Sequence, residues 1–376
     1  MKMIKLAEPY IGFRESFNVL KAMKSKEISG YSSQFVPSFE QNFAKFVGVK
    51  YALSVNSGTS ALMLSVRALN LKPGDKVAVS ALTNMATYFP LLQMGIVPVP
   101  VDIDPVTLNM NPDDLLRIMN QGIQAIIVVH LYGLPADMHK ILKIAKDYEV
   151  DVIEDCAESL GATQHSTQTG AFGKMGCFSF YANKIITTGE GGMVTTNDPS
   201  IYEYMRNLRS LGFGRENKFL HDSDGYNFRL SNVQAAIGLA QLSKVQKIIK
   251  MKKEIAHQYN LLFKHNKNLQ LPIEPTGFSS VYWMYTVVIN EYSGHNAQSL
   301  RNELSNRNIE AREGFICFSD QFKLLKQFNL TARETPVASK TQSQILYLPS
   351  GPNLSRARIR RVAAEVNSIL SHHPVK

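Results

Sequence analysis

The chain has 376 residues, of which 44% are hydrophobic and 19% are charged, and this composition predicts a large folded core and two domains rather than disorder. The formal net charge of +10 and the sequence pI near 9.3 favour an anionic partner. Because the basic residues form no single block, arginine-rich arm or aromatic RNA-binding motif, we expect a phosphorylated small molecule and no nucleic acid.

The first informative element is a predicted helix over residues 62–69, which follows the turn Asn56-Ser57-Gly58-Thr59. Backbone N–H groups at a helix start carry partial positive charge, and a Ser-Gly-Thr turn leaves them open to a phosphate group. In isolation, an ordinary N-cap is an equally good interpretation of this turn.

Between residues 77 and 196, short apolar runs alternate with helical patterns. The runs cover residues 77–80, 97–101, 125–130, 150–153, 177–181 and 192–196, and the helical patterns cover residues 113–119 and 136–148. Continuous apolar strands separated by helices are typical of a mostly parallel sheet that is covered on both faces. Ligands bind such sheets at the carboxyl ends of the strands, where this chain has His130, Asp155 and the segment that leads to Lys184.

The C-terminal part of the sequence predicts a second domain. Residues 231–265 form one long helical pattern, which we interpret as the connection to it. A strand at residues 281–289 and helices at residues 297–307 and 355–370 would give this domain an α+β character. We therefore predict a large domain over residues 1–250, which includes the N-terminal segment, and a small domain over residues 251–376.

The cysteines and the N-terminus limit the class of protein. Cys156, Cys177 and Cys317 are odd in number and form no Cys-x-x-Cys pair, so we expect neither a disulfide framework nor a metal site. The N-terminus lacks the apolar core of a signal peptide, and no apolar run approaches the length of a membrane span. We expect a cytoplasmic protein with no membrane partner.

Lys184 is the residue whose surroundings suggest chemistry. It follows the apolar run at residues 177–181 and precedes a glycine-rich turn, while Asp155 ends an earlier apolar run. A lysine beside a buried carboxylate suits a Schiff base to a carbonyl cofactor whose pyridine nitrogen the carboxylate keeps protonated. Lysines at strand ends are usually only solvated, so this pattern does not decide the function alone.

Several motifs occur together in a fixed order. They are Ser57-Gly58-Thr59-Ser60-Ala61-Leu62, Val101-Asp-Ile-Asp104, His130-Leu-Tyr-Gly133, Ile153-Glu-Asp155, Gly189-Glu-Gly-Gly-Met193 and Gly225-Tyr-Asn-Phe-Arg229. In this order they resemble the DegT/DnrJ/EryC1/StrS family of sugar aminotransferases that depend on pyridoxal phosphate (PLP), over nearly the whole chain. The resemblance implies an α/β protein of fold type I, with a mostly parallel seven-stranded sheet in the large domain and a smaller α+β C-terminal domain.

The resemblance also implies roles for the residues at the strand ends. Lys184 would bind the cofactor covalently and then move protons as the general base. Asp155 would pair with the pyridine nitrogen, and Glu158 would face the phenolic oxygen, where many family members have glutamine. The cofactor would alternate between PLP and its amino form, PMP.

Four further residues are implied to hold the cofactor phosphate. Gly58 and Thr59, in the motif that begins at Ser57, would bind it through backbone amides, and the Ser179 hydroxyl would add a donor. Asn227 would reach the phosphate of the neighbouring subunit. The resemblance therefore implies a homodimer with shared active sites.

The sequence departs from the family pattern in three places, of which one is the segment Arg209-Ser-Leu-Gly212. An aromatic residue that stacks on the cofactor ring in relatives is replaced by Asn84, so either Tyr88 or Met85 would take over this contact or the ring would be held less tightly. Arg312 is retained, although the segment that follows it differs from the family pattern. We predict that Tyr88, His130 and Arg312 contact the substrate.

The run Asn183-Lys184-Ile-Ile-Thr-Thr-Gly-Glu-Gly-Gly192 is similar to the perosamine-synthase branch. That branch transfers an amino group from glutamate to a GDP-linked 4-keto-6-deoxyhexose such as GDP-4-keto-6-deoxymannose, which implies a role in lipopolysaccharide O-antigen synthesis. One alternative is a PLP-dependent sugar dehydratase of the same fold, although Lys184 argues against those dehydratases that use histidine there. The other is a non-catalytic regulator, which would not need Asp155, Ser179 and Lys184 together.

Overall fold

The computed structural model describes residues 2–31, 33–213, 219–221 and 223–371. The helices are α1 (Phe13–Ser25), α2 (Phe35–Val47), α3 (Gly58–Ala68), α4 (Phe89–Gln93), α5 (Pro112–Ile118), α6 (Met138–Asp147), α7 (Pro199–Arg209), α8 (Asn232–Leu242), α9 (Val245–Phe263), α10 (Ala297–Asn306), α11 (Phe322–Gln327), α12 (Pro336–Thr341) and α13 (Arg356–Ser371). The strands are β1 (Tyr51–Val55), β2 (Lys76–Ser80), β3 (Val97–Val101), β4 (Ile123–Val129), β5 (Asp151–Asp155), β6 (Thr163–Gln164), β7 (Thr167–Gln168), β8 (Met175–Ser179), β9 (Gly192–Thr196), β10 (Leu269–Gln270), β11 (Phe278–Ser279), β12 (Tyr285–Ile289), β13 (Arg312–Glu313) and β14 (Ile345–Leu348).

A seven-stranded sheet in the order β1-β9-β8-β5-β4-β2-β3 forms the centre of the N-terminal part of the chain. Strands β3, β2, β4, β5 and β8 are parallel, whereas β9 is antiparallel to both β8 and β1. The predicted mostly parallel sheet is confirmed. Sequence analysis did not predict β1, because the motif that begins at Asn56 was interpreted only as the start of the helix that follows.

The sheet is covered on both faces, as its apolar strands predict. Along β4, Ala125 and Ile127 belong to the apolar cluster on the face of α3 and α7, while Ile126 and Val128 belong to the cluster on the face of α5 and α6. Successive strand residues point to opposite faces, so a run of apolar residues buries both. No helix among the described residues has the length and apolar character needed to cross a membrane.

The register of the central strands determines which residues meet at the carboxyl edge. Val129 of β4 lies beside Asp155 of β5, and Asp155 lies beside Cys177 of β8. The chain leaves β8 at Ser179 and reaches Lys184 within one turn, in which the Lys184 N–H donates to the Tyr181 carbonyl over 2.9 Å. The strand ends therefore bring the Asp155 and Lys184 segments together.

A second sheet in the order β10-β12-β14-β13 forms the C-terminal part, packed against α9, α10 and α13. The N-terminal segment joins this part, because Ile4 donates to the Asn308 carbonyl over 2.9 Å and accepts from the Glu310 N–H over 2.9 Å. The predicted α+β character agrees with these elements. The domain boundary at residue 250 remains a prediction, and it falls inside α9.

The prediction of one long helix over residues 231–265 is wrong. The helix stops after Leu242, and α9 begins at Val245. The Ser243 hydroxyl donates to the Ala240 carbonyl, and Lys244 leaves helical geometry to form an ion pair with the buried Glu15 of α1. A side-chain hydrogen bond to the backbone and a tertiary ion pair override the helical pattern here.

Lys252 of α9 is a buried lysine that bonds to the segment after β14 within the C-terminal part. Its ammonium group donates to the carbonyl of Ser350, which follows β14, and the Ser350 hydroxyl lies 3.4 Å away. Burial lowers the pKa of Lys252 from 10.5 to about 7. The folded protein therefore holds this amine largely neutral above pH 7.

Lys252→Met should remove a pH dependence of stability. Between pH 7 and 10 the unfolded chain protonates Lys252 while the folded chain does not, so the wild-type free energy of unfolding rises with pH, by on the order of 1 kcal/mol per pH unit from this residue. The variant should lack this slope, even if the lost donor to Ser350 adds a constant offset. Urea unfolding at several pH values tests it.

Lys250→Met is the matched control, because Lys250 lies on the same helix and is exposed. Its unfolding free energy should follow the wild-type pH dependence. Parallel wild-type and Lys252→Met curves would show that the buried amine stays charged.

Candidate active site

The carboxyl edge of the large sheet opens into a cavity of about 460 Å³. Segments of the second sheet close its other side. The cavity wall contains most of the residues predicted to act on the cofactor or substrate: Ser57, Gly58, Thr59, Asn84, Asp155, Glu158, Ser179, Lys184 and Arg312. The structure thus brings together residues that are separated by more than 200 positions in the sequence.

Asp155 lies buried at the end of β5. Its Oδ2 accepts the Thr87 hydroxyl over 2.8 Å, and its Oδ1 accepts the Ala157 N–H over 3.1 Å. Burial raises the pKa of the Asp155 carboxyl above its usual value, while the two hydrogen bonds and the Lys184 charge oppose the rise. A carboxylate held in this way favours a cationic partner in the cavity.

Lys184 and Glu158 form the second charged pair of the cavity. Lys184 Nζ lies 3.9 Å from Glu158 Oε1; the Glu158 side chain is 5% exposed and the Lys184 side chain is 14% exposed. Burial lowers the pKa of Lys184, and the Glu158 and Asp155 charges oppose this change. The amine can therefore lose its proton more easily than a surface lysine, which a nucleophile or general base requires.

Glu158 is oriented by an unusual turn. Its Oε2 accepts the Tyr132 N–H over 2.7 Å, and Tyr132 has a φ of 56°, which is rare for a residue with a large side chain. Burial raises the pKa of the Glu158 carboxyl to about 7, with Lys184 and the Tyr132 N–H opposing. Glu158 can therefore be either neutral or charged near neutral pH.

The start of α3 forms an anion site against β8. Ser57 caps the helix, since its Oγ accepts the Ser60 N–H over 3.0 Å. Within the described residues, no hydrogen bond uses the N–H groups of Gly58 and Thr59. A Cβ on Gly58 would lie 2.9 Å from the Cβ of Ser179, so only glycine allows this close approach. The two free N–H groups and the Ser179 hydroxyl suit a phosphate.

Asn84 lines the cavity, but its side chain has a backbone role. Its Oδ1 accepts the Ala86 N–H over 2.9 Å and so caps the short turn of residues 85–87. This turn carries Thr87, the residue that donates to Asp155. The structure therefore assigns Asn84 a capping role at the position that sequence analysis associated with ring stacking.

Tyr88 does not contact the cavity, and its predicted role as a substrate ligand or stacking residue is corrected. Its ring is fully buried and stacks on Phe318 with a centroid distance of 4.1 Å, and its hydroxyl donates to the Ser80 carbonyl over 3.0 Å. Met85 packs against the same apolar cluster. Tyr88 is therefore a core residue, and Met85 is partly buried against the same core.

His130 is likewise not in the cavity wall. The ring is fully buried behind β5, where Nδ1 accepts the Ala136 N–H and Nε2–H donates to Glu154 Oε2 over 2.9 Å. Glu154 also accepts backbone N–H groups of residues 170, 172 and 173. These bonds occupy the polar atoms of the pair, so His130 stabilises the strand end instead of contacting substrate.

Arg312 and Asn227 occupy different positions. Arg312 of β13 is exposed at the cavity wall, as a substrate contact would require. Asn227 is exposed and does not line the cavity of its own chain, and its backbone carbonyl accepts from the Asn56 side chain over 3.4 Å. The action of Asn227 on a second subunit therefore remains a prediction.

Sequence analysis missed the side of the cavity that the C-terminal part provides. Trp283, Phe315 and Tyr347 line it, and the Trp283 ring centroid lies 3.9 Å from Lys184 Nζ. Trp283 is the one tryptophan of the chain, and this rarity was the sequence feature that could have marked it as a candidate site residue. Thr87 was also missed, because its bond to Asp155 joins residues 68 positions apart and no sequence spacing indicates it.

Comparisons with known proteins agree with this site. The model of the DegT/DnrJ/EryC1/StrS aminotransferase family matches residues 9–367. The chain belongs to this family. It is 34% identical to GDP-perosamine synthase of Escherichia coli O157:H7, over 99% of this chain and 100% of that protein. It is 36% identical to GDP-perosamine synthase of Caulobacter vibrioides, over 98% of both.

Two solved structures of GDP-4-keto-6-deoxymannose-3-dehydratase have the same fold. A mutant with bound GDP-perosamine has a TM-score of 0.90 and 29% identity, and the match covers 96% of this chain and all of that one. The E. coli protein with bound hydrated PLP also has a TM-score of 0.90 and 29% identity, over 98% of this chain and all of that one. The predicted family, fold type and enzyme class are confirmed: the protein is a PLP-dependent nucleotide-sugar aminotransferase.

The residues of the cavity fit the cofactor. The N–H groups at the start of α3 suit its phosphate, the buried Asp155 carboxyl suits a protonated pyridine nitrogen, and Lys184 lies in the same cavity. The predicted cofactor, PLP, is confirmed by the family.

Asp155→Asn should leave PLP bound but lower kcat/KM by about 10- to 150-fold, because one hydrogen bond to a charged group contributes roughly 1.5–3 kcal/mol. The amide can still accept the Ala157 N–H, so the fold should be retained. Asp151→Asn, at the other end of β5 in an exposed ion pair with Lys174, is the control and should keep wild-type turnover. Equal turnover of both variants would remove Asp155 from this role.

Proposed function

We propose that the protein transfers an amino group from glutamate to a GDP-linked 4-keto-6-deoxyhexose such as GDP-4-keto-6-deoxymannose. The observation that carries the proposal is the buried constellation of Lys184, Glu158 and Asp155 beside the anion site of α3. The names of the relatives support the sugar: two are GDP-perosamine synthases, and a structural neighbour holds GDP-perosamine. The net charge of +10 suits an anionic nucleotide diphosphate.

Each residue of the cavity has a defined task in this proposal. When bound, PLP supplies an electron-accepting ring for the carbon that loses its proton. Asp155 holds a positive charge at the ring nitrogen, and the N–H groups of Gly58 and Thr59 hold the phosphate. Lys184 Nζ accepts a proton in its neutral form and returns it as an ammonium group, because burial and the Glu158 charge act on its pKa in opposite directions.

The C-terminal side of the cavity provides the residues that we expect to bind the substrate. Arg312 is exposed on the C-terminal side, where a guanidinium can bind a carboxylate or phosphate with two parallel hydrogen bonds. Phe315 and Tyr347 add apolar surface on the same side and exclude water from the reacting groups. We place the 4-amino sugar product in the synthesis of a surface polysaccharide such as lipopolysaccharide O-antigen, and the enzyme in the cytoplasm.

Lys184→Ala should abolish turnover while leaving the melting temperature close to that of the wild type, because removal of this side chain opens no apolar core. Lys174→Ala is the control, since Lys174 directly precedes β8, the strand that leads to Lys184, and forms an exposed ion pair with Asp151.

The substrates are tested with the wild-type protein. Its yellow colour should bleach when glutamate is added, and the amino form of the cofactor should then react most rapidly with the GDP-linked ketosugar in a panel of nucleotide-linked ketosugars. Faster amination of a UDP- or dTDP-linked sugar would overturn the proposed substrate.

We also propose that two chains share each active site in a symmetric dimer, with Lys184 and Asp155 from one chain and Asn227 from the other. Asn227 is exposed and outside the cavity of its own chain, and it precedes α8 in a segment distant from the rest of the phosphate site in sequence. A two-fold interface places the same residue at both sites.

Mixed dimers test this arrangement. When Lys184→Ala and Asn227→Asp chains are reassorted in equal amounts, half of the dimers are mixed and one site in each mixed dimer carries neither change, so activity should recover to about a quarter of wild type. Lys184→Ala mixed with Asp155→Asn is the control and should recover nothing, because both residues would come from the same chain. Equal recovery in the two mixtures would contradict a role for Asn227 on the partner subunit.

A further inference from the structure

Trp283 lies between the two parts of the molecule and has no role in the function argued so far. It is 5% exposed, and its ring forms part of the cavity wall. One edge approaches Tyr347, with a centroid distance of 6.2 Å and an interplanar angle of 65°. The face of the ring is turned to Lys184.

The backbone around Trp283 is fixed by contacts with the large domain. The Val281 N–H donates to the Gly133 carbonyl over 2.9 Å. A Cβ on Gly133 would lie 2.7 Å from the Trp283 nitrogen, so the two backbones approach as closely as glycine allows. Tyr282 adopts a φ of 48°, and its N–H donates to the Ser280 hydroxyl over 3.0 Å. Strand β12 begins after this turn, at Tyr285.

The indole makes two contacts with the segment that carries the reactive amine. Its Nε1–H donates to the Asn183 carbonyl over 2.9 Å, one residue before Lys184. The centre of the ring lies 3.9 Å from Lys184 Nζ, which is within the range of a cation–π interaction. One side chain therefore holds both the backbone before the lysine and the amine itself.

We propose that Trp283 is a positioning residue that holds the unbound amine of Lys184 against the cavity wall, where its ring face stabilises the ammonium form. The amine is unbound before it captures the cofactor and again whenever the substrate replaces it there. The cofactor step of this proposal rests on the function proposed for Lys184, whereas the ring contact does not. An indole attracts a cation but does not titrate, so it can hold the amine without exchanging protons with it.

Two carboxyl groups also stabilise the ammonium form of Lys184, and an experiment must distinguish their effect on its pKa from the effect of the ring. Glu158 Oε1 lies 3.9 Å from Lys184 Nζ, beyond hydrogen-bond distance, and Asp155 adds a second negative charge. Glu158 titrates near neutral pH itself. A test of the ring therefore needs one variant without the amine and a pair of variants that differ only in the ring.

The fluorescence of the cofactor-free wild-type protein provides the first test. The chain has one tryptophan, so its tryptophan emission comes from Trp283 alone. Loss of the charge 3.9 Å from the ring should change this emission as pH rises through the pKa of Lys184. Lys184→Met keeps Glu158 and Asp155 but removes the amine, and it should abolish this transition. An identical pH curve in Lys184→Met would overturn the proposal, because the ring would then sense another group.

Capture of PLP by the cofactor-free protein provides the second test. Lys184 and the PLP aldehyde form a C=N bond with loss of water, and only the neutral amine reacts. Trp283→Phe and Trp283→Leu both lose the bond to Asn183, but only the first keeps an aromatic face. We expect the pH midpoint of the capture rate in Trp283→Leu to fall by roughly 0.5–1 pH unit relative to Trp283→Phe.

Equal midpoints in these two variants would show that Trp283 only fills space, whatever its effect on turnover. Circular dichroism and thermal melting establish that both variants fold, and the fluorescence test stands without them. Because neither readout uses a sugar substrate, an incorrect assignment of the GDP-linked ketosugar would leave both results unchanged. Failure of the proposed function and failure of the role of Trp283 are therefore distinguishable.

Discussion

The rest of the site depends on the balance of charge among three ionisable groups at the carboxyl end of the sheet. Asp155, Glu158 and Lys184 share a cavity in which burial raises the pKa of both carboxyl groups and lowers that of the amine. One ammonium group cannot neutralise two carboxylates, and Lys184 stands beside Glu158. Asp155 has a hydroxyl and a backbone N–H as partners, so a protonated ring nitrogen is the partner that its charge still favours.

Two adjacent turns, one at Tyr132 and one at Tyr282, connect the two sheets and contact Glu158 and Lys184. Tyr132 donates to Glu158, and the next residue, Gly133, accepts from Val281 at the start of the turn that carries Trp283. Both turns contain a tyrosine with positive φ, at Tyr132 and at Tyr282. Such conformations persist only where surrounding contacts impose them, and here they orient one partner of Glu158 and one partner of Lys184. A shift of the C-terminal part would therefore move both partners at once.

The sequence predicts the part of the site that follows from strand order, and it misses the part that follows from side-chain direction. Parallel strands end at one edge, so the sequence alone predicts that Asp155 and Lys184 lie close together. His130 follows a neighbouring strand by one residue, yet it turns behind the sheet because Glu154 and the Ala136 N–H satisfy both ring nitrogens. Trp283 stands about 100 positions from Lys184, and no spacing rule connects residues that meet only through packing of two sheets.

A second buried lysine shows why burial alone does not produce a reactive amine. Lys184 and Lys252 border the same narrow crevice behind Trp283. Lys252 faces a carbonyl and a hydroxyl of Ser350, and burial is the one influence on its pKa, which falls to about 7. Lys184 faces two carboxyl groups and an aromatic ring, so its ammonium form is stabilised against the same burial. Near neutral pH both forms of the Lys252 amine are accessible as well, but this amine is bonded to Ser350 and does not line the cavity. Lys184 differs because its amine lies in the cavity wall, where a reacting group can reach it.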